Sequence, residues 1–180
     1  MIIHEIQDLS NNIAVDVLKQ GLSKITDETH LINYHPDFSD NPSNLFYILK
    51  YGRYTTGKYY IVEEDGNYIC SAGWNEYQYE PSIALLMTRF YVVPEYRKNY
   101  YASSYILPKA LEEAKDYKHI WMTMNEYNKS LYTWFERASA GKLPGLFDYW
   151  PEVYRNFHPI GKRYIYYTEQ YVVEYRNDQL

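Results

Sequence analysis

FYVVPEYRKNYYASSYILPKALEEA, residues 90–114, passes from a β-like stretch through a short cationic turn into a segment with helical apolar spacing. The start of a helix exposes unpaired backbone N–H groups and the positive end of the macrodipole. A strand–turn–helix junction carrying Arg97, Lys98 and Asn99 therefore suits a pyrophosphate. The same residues also suit an ordinary solvated turn. Upstream, residues 84–93 form the longest β-like stretch, with Leu86, Thr88, Phe90 and Val92 on one face and Leu85, Met87, Arg89, Tyr91 and Val93 on the other. Both faces look covered, which places this strand centrally. Downstream, Ile106, Leu107, Ala110, Leu111 and Ala114 predict a helix over 102–117. Pro108 falls inside it and would remove the bond to the Ser104 carbonyl, kinking the axis unless the regular helix starts later.

The flanking elements follow from equally local signals. Residues 59–63 and 68–74 read as strands joined by Asp65-Gly66, a two-residue hairpin turn that needs positive φ at both positions. Residues 2–6 read as a strand, and 12–23 as an amphipathic helix with Ser10 or Asn11 as its cap. A second short helix is expected from Pro42, with Leu45, Ile48 and Leu49 on its inner face and Gly52 beyond its end. The stretch HLINYHPDFSD, residues 30–40, reads as the loop between the two. After 114, residues 119–124 read as a strand and 128–139 as a helix whose inner stripe is Leu131, Trp134, Phe135 and Ala138. Residues 154–175 supply closing strands. The order β-α-α-β-β-β-α-β-α-β-β describes an α/β fold with one βαβ crossover.

Composition narrows the function. A chain of 180 residues suits one domain, 1–180. Tyr occurs 24 times, and each buried hydroxyl needs a partner or a wet edge, which suits a protein built around a cleft. The start has no signal-peptide pattern and no apolar run reaches 18 residues, so a cytoplasmic protein that does not cross a membrane is expected. Cys70 is the only cysteine, which excludes an intramolecular disulfide. A net charge of -5 without a basic block argues against nucleic-acid binding. The first 50 residues hold seven Asp or Glu against three Lys; this is either a surface attractive to an amine-bearing partner or a solvated acidic face. His30, His35, Asp37 and Asp40 match no familiar metal-ligand spacing. No hydrolase elbow and no phosphate-binding P-loop motif occur.

The stretch VVPEYRKNYYASSYI, residues 92–106, resembles the acetyl-coenzyme A loop of the GCN5-related N-acetyltransferases (GNAT), where a strand ending near V-x-P-x-x-R is followed by R/Q-x-x-G-x-G/A and a helix. Arg97 matches the leading Arg and Ala102 the final Gly/Ala, while Tyr100 stands where the family usually has glycine. NKSLYTWFERA, residues 128–138, is similar to the family's N-x-x-A-x-x-L/F-Y-E-K segment, with Asn128 at the Asn and Phe135 at the Tyr. The resemblance implies a mixed, mostly antiparallel sheet and a coenzyme site formed by Tyr91, Val92, Val93, Arg97, Lys98, Asn99, Tyr100, Tyr101, Ala102, Ser103 and Asn128. The peptide N–H groups between Arg97 and Ser103 are expected to converge on the diphosphate. It further implies direct transfer of an acetyl group from acetyl-CoA to an amine of a small molecule or peptide, in a monomer or homodimer. Two catalytic candidates follow. Tyr132, at the tyrosine position in a register starting from Asn125, would protonate the leaving thiolate, and Glu76, just beyond the third strand, would be the base. Tyr100 and Phe135 leave open the alternative of a coenzyme-binding or structural protein of the same fold without turnover.

Overall fold

The computed structural model describes residues 1–52, 54–97, 99, 101–141 and 152–177. Seven strands form one sheet: β1 (Ile2–Ile6), β2 (Lys58–Glu64), β3 (Asn67–Glu76), β4 (Ile83–Val92), β5 (His119–Met124), β6 (Phe157–Ile165) and β7 (Thr168–Tyr175). They lie in the order β1-β2-β3-β4-β5-β7-β6, and β4–β5 is the parallel pair in an otherwise antiparallel set of described pairings. The β2–β3 hairpin turns at Asp65 (φ 51°) and Gly66 (φ 77°), as its dipeptide requires.

Period-two alternation sorts side chains to the two faces of the sheet. In β2, Tyr60 and Val62 enter a cluster with Ala110 and Ala114 of helix α4 (Leu107–Ala114) and with Tyr132 and Phe135 of helix α5 (Lys129–Ser139). Tyr59 and Ile61 enter the opposite cluster, with Leu18 and Leu22 of α1 (Asn12–Leu22) and Leu45, Ile48 and Leu49 of α3 (Leu45–Lys50). Asn11 caps α1 by accepting the Ala14 N–H at 3.1 Å.

Three local expectations are corrected. Part of the loop read at 30–40 is helical: α2 (Glu28–Tyr34) turns the 5%-exposed Tyr34 into the core, and a 3-10 turn, Pro36–Phe38, follows. Two short helices thus precede β2 after α1. The second begins at Leu45 instead of Pro42, because the Asn44 side chain accepts the Phe46 N–H at 2.8 Å. Pro108 breaks nothing, since 102–106 is one π-helical stretch and α4 starts only at Leu107, leaving Pro108 in the first turn, where its missing N–H costs no bond.

The β6–β7 turn is made by Tyr166 (φ 44°) and Tyr167 (φ 73°), both left-handed, where a Cβ is unfavourable by about 1–2 kcal/mol per residue. Tyr167 is 72% exposed, so its ring contributes little burial to offset this. Tyr167→Gly is therefore expected to raise stability by about 1 kcal/mol in urea unfolding at an unchanged m-value.

Candidate active site at the opening between β4 and β5

β4 pairs with β5 only from Ile83↔His119 to Leu86↔Met122. Beyond that rung β4 continues to Val92 beside β3, while β5 continues to Met124 beside β7. The two strands part in the middle of the sheet. Their facing edges carry backbone N–H and C=O groups that a regular ladder would consume and that an extended ligand can meet.

At the parting point β4 is doubly bulged, which overturns the simple alternation expected for 84–93. Thr88 faces Gly73 and Tyr91 faces Ser71, with register breaks on both sides of Gly73, and Met87 (φ 55°) and Arg89 (φ 52°) are left-handed. Bulges re-aim backbone groups and cluster beside functional sites. This one is held from the α1–α3 face by three tyrosine hydroxyls. Tyr54 bonds the Thr88 hydroxyl at 3.0 Å, Tyr59 donates to the Arg89 carbonyl at 3.0 Å, and Tyr34 donates to the Phe90 carbonyl at 3.0 Å. Arg89 Nη1 adds a bond to Asn33 Oδ1 at 3.2 Å. Because the Tyr59 proton is committed to the Arg89 carbonyl, its oxygen accepts from Ser71 Oγ at 2.6 Å, and Ser71 in turn bonds Tyr68. Burial raises the pKa of Tyr34, Tyr59 and Tyr68, so each keeps the proton it donates. Gly73 makes room for this clamp: a Cβ there would come within 2.6 Å of the Tyr54 ring and 2.9 Å of the Tyr59 ring.

Past β4, Val92 is partly buried against the α4–α5 cluster and the Val93 N–H bonds the Ile69 carbonyl at 2.9 Å. A 3-10 turn, Pro94–Tyr96, leads to Arg97, whose guanidinium lies 5.7 Å from the Tyr91 ring centre while Nε donates to the Val92 carbonyl at 3.1 Å. The expectation that all N–H groups from Arg97 onward converge on one point is corrected. The Arg97 N–H faces the Pro94 carbonyl at 3.4 Å and the Asn99 N–H the Tyr96 carbonyl at 3.2 Å, because this short turn closes on itself. The helix start that follows, at Tyr101, has no side-chain cap. The amides of Tyr101, Ala102 and Ser103 thus occupy the first turn of a helical segment, where anion-binding groups are expected. Ala102 is 2% exposed, so a small residue fits there. The Tyr101 hydroxyl donates to Glu64 at 3.3 Å. Lys98 and Tyr100, both sequence candidates for the coenzyme site, lie outside the described residues.

Helix α4 is tied down by Glu113, which accepts from the Tyr60 hydroxyl (2.7 Å), Trp74 Nε1 (2.9 Å) and Lys58 Nζ (3.0 Å). Burial pushes its pKa up, but these three donors outweigh burial and hold it below the ordinary carboxylate value.

The other candidates sit on or beside α5 and at the end of β3. The Tyr132 ring packs on Tyr171 at 4.8 Å and its hydroxyl accepts the Gly161 N–H at 3.0 Å. Gly161 belongs to β6, two places beyond β5 in the sheet, or roughly 10 Å at the usual strand spacing. Phe135 is 1% exposed among aromatic rings, whereas Leu131, expected on the inner stripe of α5, is 43% exposed and Tyr132 is buried beside Phe135 instead. Asn128 is exposed at the start of α5 and its side chain makes no capping bond. Glu76 accepts from the Tyr117 hydroxyl at 3.1 Å and borders a cleft of about 560 Å³ between α3 and the β6–β7 turn. Sequence reasoning missed Tyr34, Tyr54, Tyr59 and Gly73; the abundance of tyrosine was their one signal.

A mixed sheet whose central parallel strands part beside a bulge, with a helix starting where β4 ends, is the fold of the GNAT acyl-CoA N-acyltransferases. Solved structures of that fold superpose over nearly the whole chain. An acetyltransferase of the GNAT family from Staphylococcus aureus Mu50 matches at 14% identity and TM-score 0.55, covering 97% of this chain and 100% of that one. A ribosomal-protein-alanine N-acetyltransferase from Brucella melitensis matches at 11% identity and TM-score 0.53, over 97% and 98%. A chimera of the Vibrio cholerae spermidine N-acetyltransferase matches at 13% identity and TM-score 0.51, over 97% and 93%. No protein-family profile and no curated protein sequence matches the chain.

Proposed function

We propose that the protein is an acetyl-CoA-dependent N-acetyltransferase that moves the acetyl group directly to an amine of a small molecule or peptide. The observation that carries this reading is the parting of β4 from β5 after Leu86 and Met122, beside a bulge locked by tyrosine hydroxyls. In this reading the pantetheine arm lies along Tyr91, Val92 and Val93, and Arg97 with the amides of Tyr101, Ala102 and Ser103 holds the diphosphate. Lys98, Asn99, Tyr100 and Asn128 complete the coenzyme contacts. The neutral amine attacks the thioester carbonyl carbon; a C–N bond forms, the C–S bond breaks, and the thiolate leaves with a proton from solvent or a side chain. Positioning in the opening supplies most of the acceleration. The amine's own proton passes to water or to a carboxylate such as Glu76. The two acceptors named by the structural neighbours, spermidine and a ribosomal protein, span the classes open to this chain. A single cysteine, buried with its thiol pushed up to about 12, is compatible with a cytoplasmic setting.

A second reading, a coenzyme-binding protein without turnover, is favoured by the engagement of the Tyr132 hydroxyl with Gly161 and by Phe135 at the place of the family's tyrosine. Acetyl-CoA at about 100 times its dissociation constant should stabilise the fold by roughly 2.7 kcal/mol in thermal denaturation. No shift at millimolar acetyl-CoA sinks both readings. Release of free thiol across a panel of amines then separates enzyme from binder.

A further inference from the structure

We infer that Tyr79 and Tyr167 form an oxidation site, at which a one-electron oxidant joins the two rings by a carbon–carbon bond and ties the β3–β4 loop to the β6–β7 turn as a dityrosine. Their hydroxyl oxygens are 2.5 Å apart, although the residues stand 88 positions apart in the chain. The ring centres are 5.8 Å apart at an interplanar angle of 69°. Dityrosine forms between the ring carbons ortho to oxygen, so contact between the two oxygens brings the bonding edges together. The ring centres then need to close by little more than one C–C bond length. Among the described residues the tyrosines more than half exposed are Tyr51, Tyr79, Tyr127, Tyr164 and Tyr167, and Tyr79 and Tyr167 are the two of these whose hydroxyls meet.

The turn carries its rings at a cost. A two-residue hairpin turn with positive φ at both places is ordinarily filled by Asn, Asp or Gly, whereas this one holds Tyr166 and Tyr167. Such strain in bulky residues concentrates at functional sites. Burial does not account for the Tyr167 ring, which is 72% exposed. Tyr166 aligns loop and turn instead. Its ring stands edge-on to the buried Tyr77 at 4.9 Å and to Tyr79 at 5.8 Å, and its hydroxyl lies 3.4 Å from the Gln78 amide nitrogen. The inner rings thus hold the two segments together while the outer pair faces solvent, where an oxidant can reach it. Cys70, whose thiol would otherwise compete for the oxidant, is buried.

The chemistry balances with a peroxide as the final electron acceptor. Each phenol gives up one electron and one proton, leaving a phenoxyl radical with unpaired density on the carbons ortho to oxygen. A bond forms between a Cε of Tyr79 and a Cε of Tyr167, and the two ortho protons pass to the oxygens, which restores both phenols. The chain has then lost two electrons and two protons, and a peroxidase delivers these to one hydrogen peroxide to give two waters. The new bond closes a long covalent loop and so restricts the unfolded chain as a disulfide does. Gln78 and Tyr166, which line the cleft beside Glu76, are the sequence neighbours of the joined residues, so that wall of the cleft is fixed with them.

The test treats the dilute full chain with a haem peroxidase and stoichiometric hydrogen peroxide, beside Tyr79→Phe, Tyr167→Phe and Tyr47→Phe. The parent is expected to gain dityrosine fluorescence as a monomer, to lose the mass of two hydrogens, and to yield a fragment joining the Tyr79 and Tyr167 peptides. Its melting temperature should rise by several degrees. Tyr79→Phe and Tyr167→Phe keep the ring and remove the phenol, and each should lower the yield about tenfold or more. Tyr47→Phe should leave it unchanged, since the Tyr47 and Tyr51 rings, 4.5 Å apart on α3, test whether ring proximity alone suffices. An unchanged yield in Tyr167→Phe, or dityrosine confined to other fragments or to links between chains, overturns the site. Should one variant fail to fold, the other makes the same prediction from a different element. The reaction needs no acetyl-CoA, so its outcome is independent of the transferase reading.

Discussion

Phe135→Ala is expected to destabilise the protein by about 3–5 kcal/mol and to lower its melting temperature by roughly 6–20 °C. Phe135 is 1% exposed and sits edge-on to Trp134 at 5.2 Å, Tyr154 at 5.6 Å and Phe157 at 6.3 Å. Those rings belong to α5, to the 3-10 segment 152–156 and to β6, so none can collapse into the space without dragging its element. The full cavity penalty should therefore appear. Urea unfolding of the alanine variant beside Phe135→Leu, which keeps most of the volume, checks the account; equal stability of the two would show that the site relaxes and that the cavity argument is wrong.

The second large effect lies on the cleft side. In Gly57→Ala the added methyl would come 1.9 Å from the Trp74 carbonyl oxygen and 2.8 Å from Asn75 Cα, and both are backbone atoms that no rotamer change can move aside. The loop must lift off β3, at a cost of about 3 kcal/mol, the upper end of what overpacking usually costs. That loop carries Thr55 and Thr56 into the cleft and Tyr54 into the bulge clamp, so the substitution reaches the site as well as the stability. Acetyl-CoA affinity should fall together with the urea midpoint. A variant as stable as the parent would mean that the close approach of loop and strand is dispensable.

The Tyr59, Tyr54 and Tyr34 bonds explain why the candidate site was only half legible. The junction at 90–106 announced itself through a β-like run, a cationic turn and a helical period, all within one local stretch. The clamp joins residues 30, 34 and 56 positions apart, and no local pattern marks a tyrosine that will donate across the sheet. The same distance in sequence hid the destination of Tyr132: its place on α5 is a matter of helical spacing, but the Gly161 amide it meets comes from another element. The short helix α2 was missed because its seven residues end against His35-Pro36 and carry too little apolar periodicity to stand out from a loop.

By itself the sequence determined the strands from β1 to β5, the turn at Asp65-Gly66, the helix α1 with its cap, and the helix start that follows β4. Each of these depends on propensities and periods within a few neighbouring residues. Only the tertiary structure decided where β4 leaves β5, how Met87 and Arg89 came to be left-handed, and which tyrosines gather at the bulge and at the cleft. A non-glycine residue avoids positive φ when left to local preference, so such a backbone is adopted only when bonds from distant parts of the chain over-determine it.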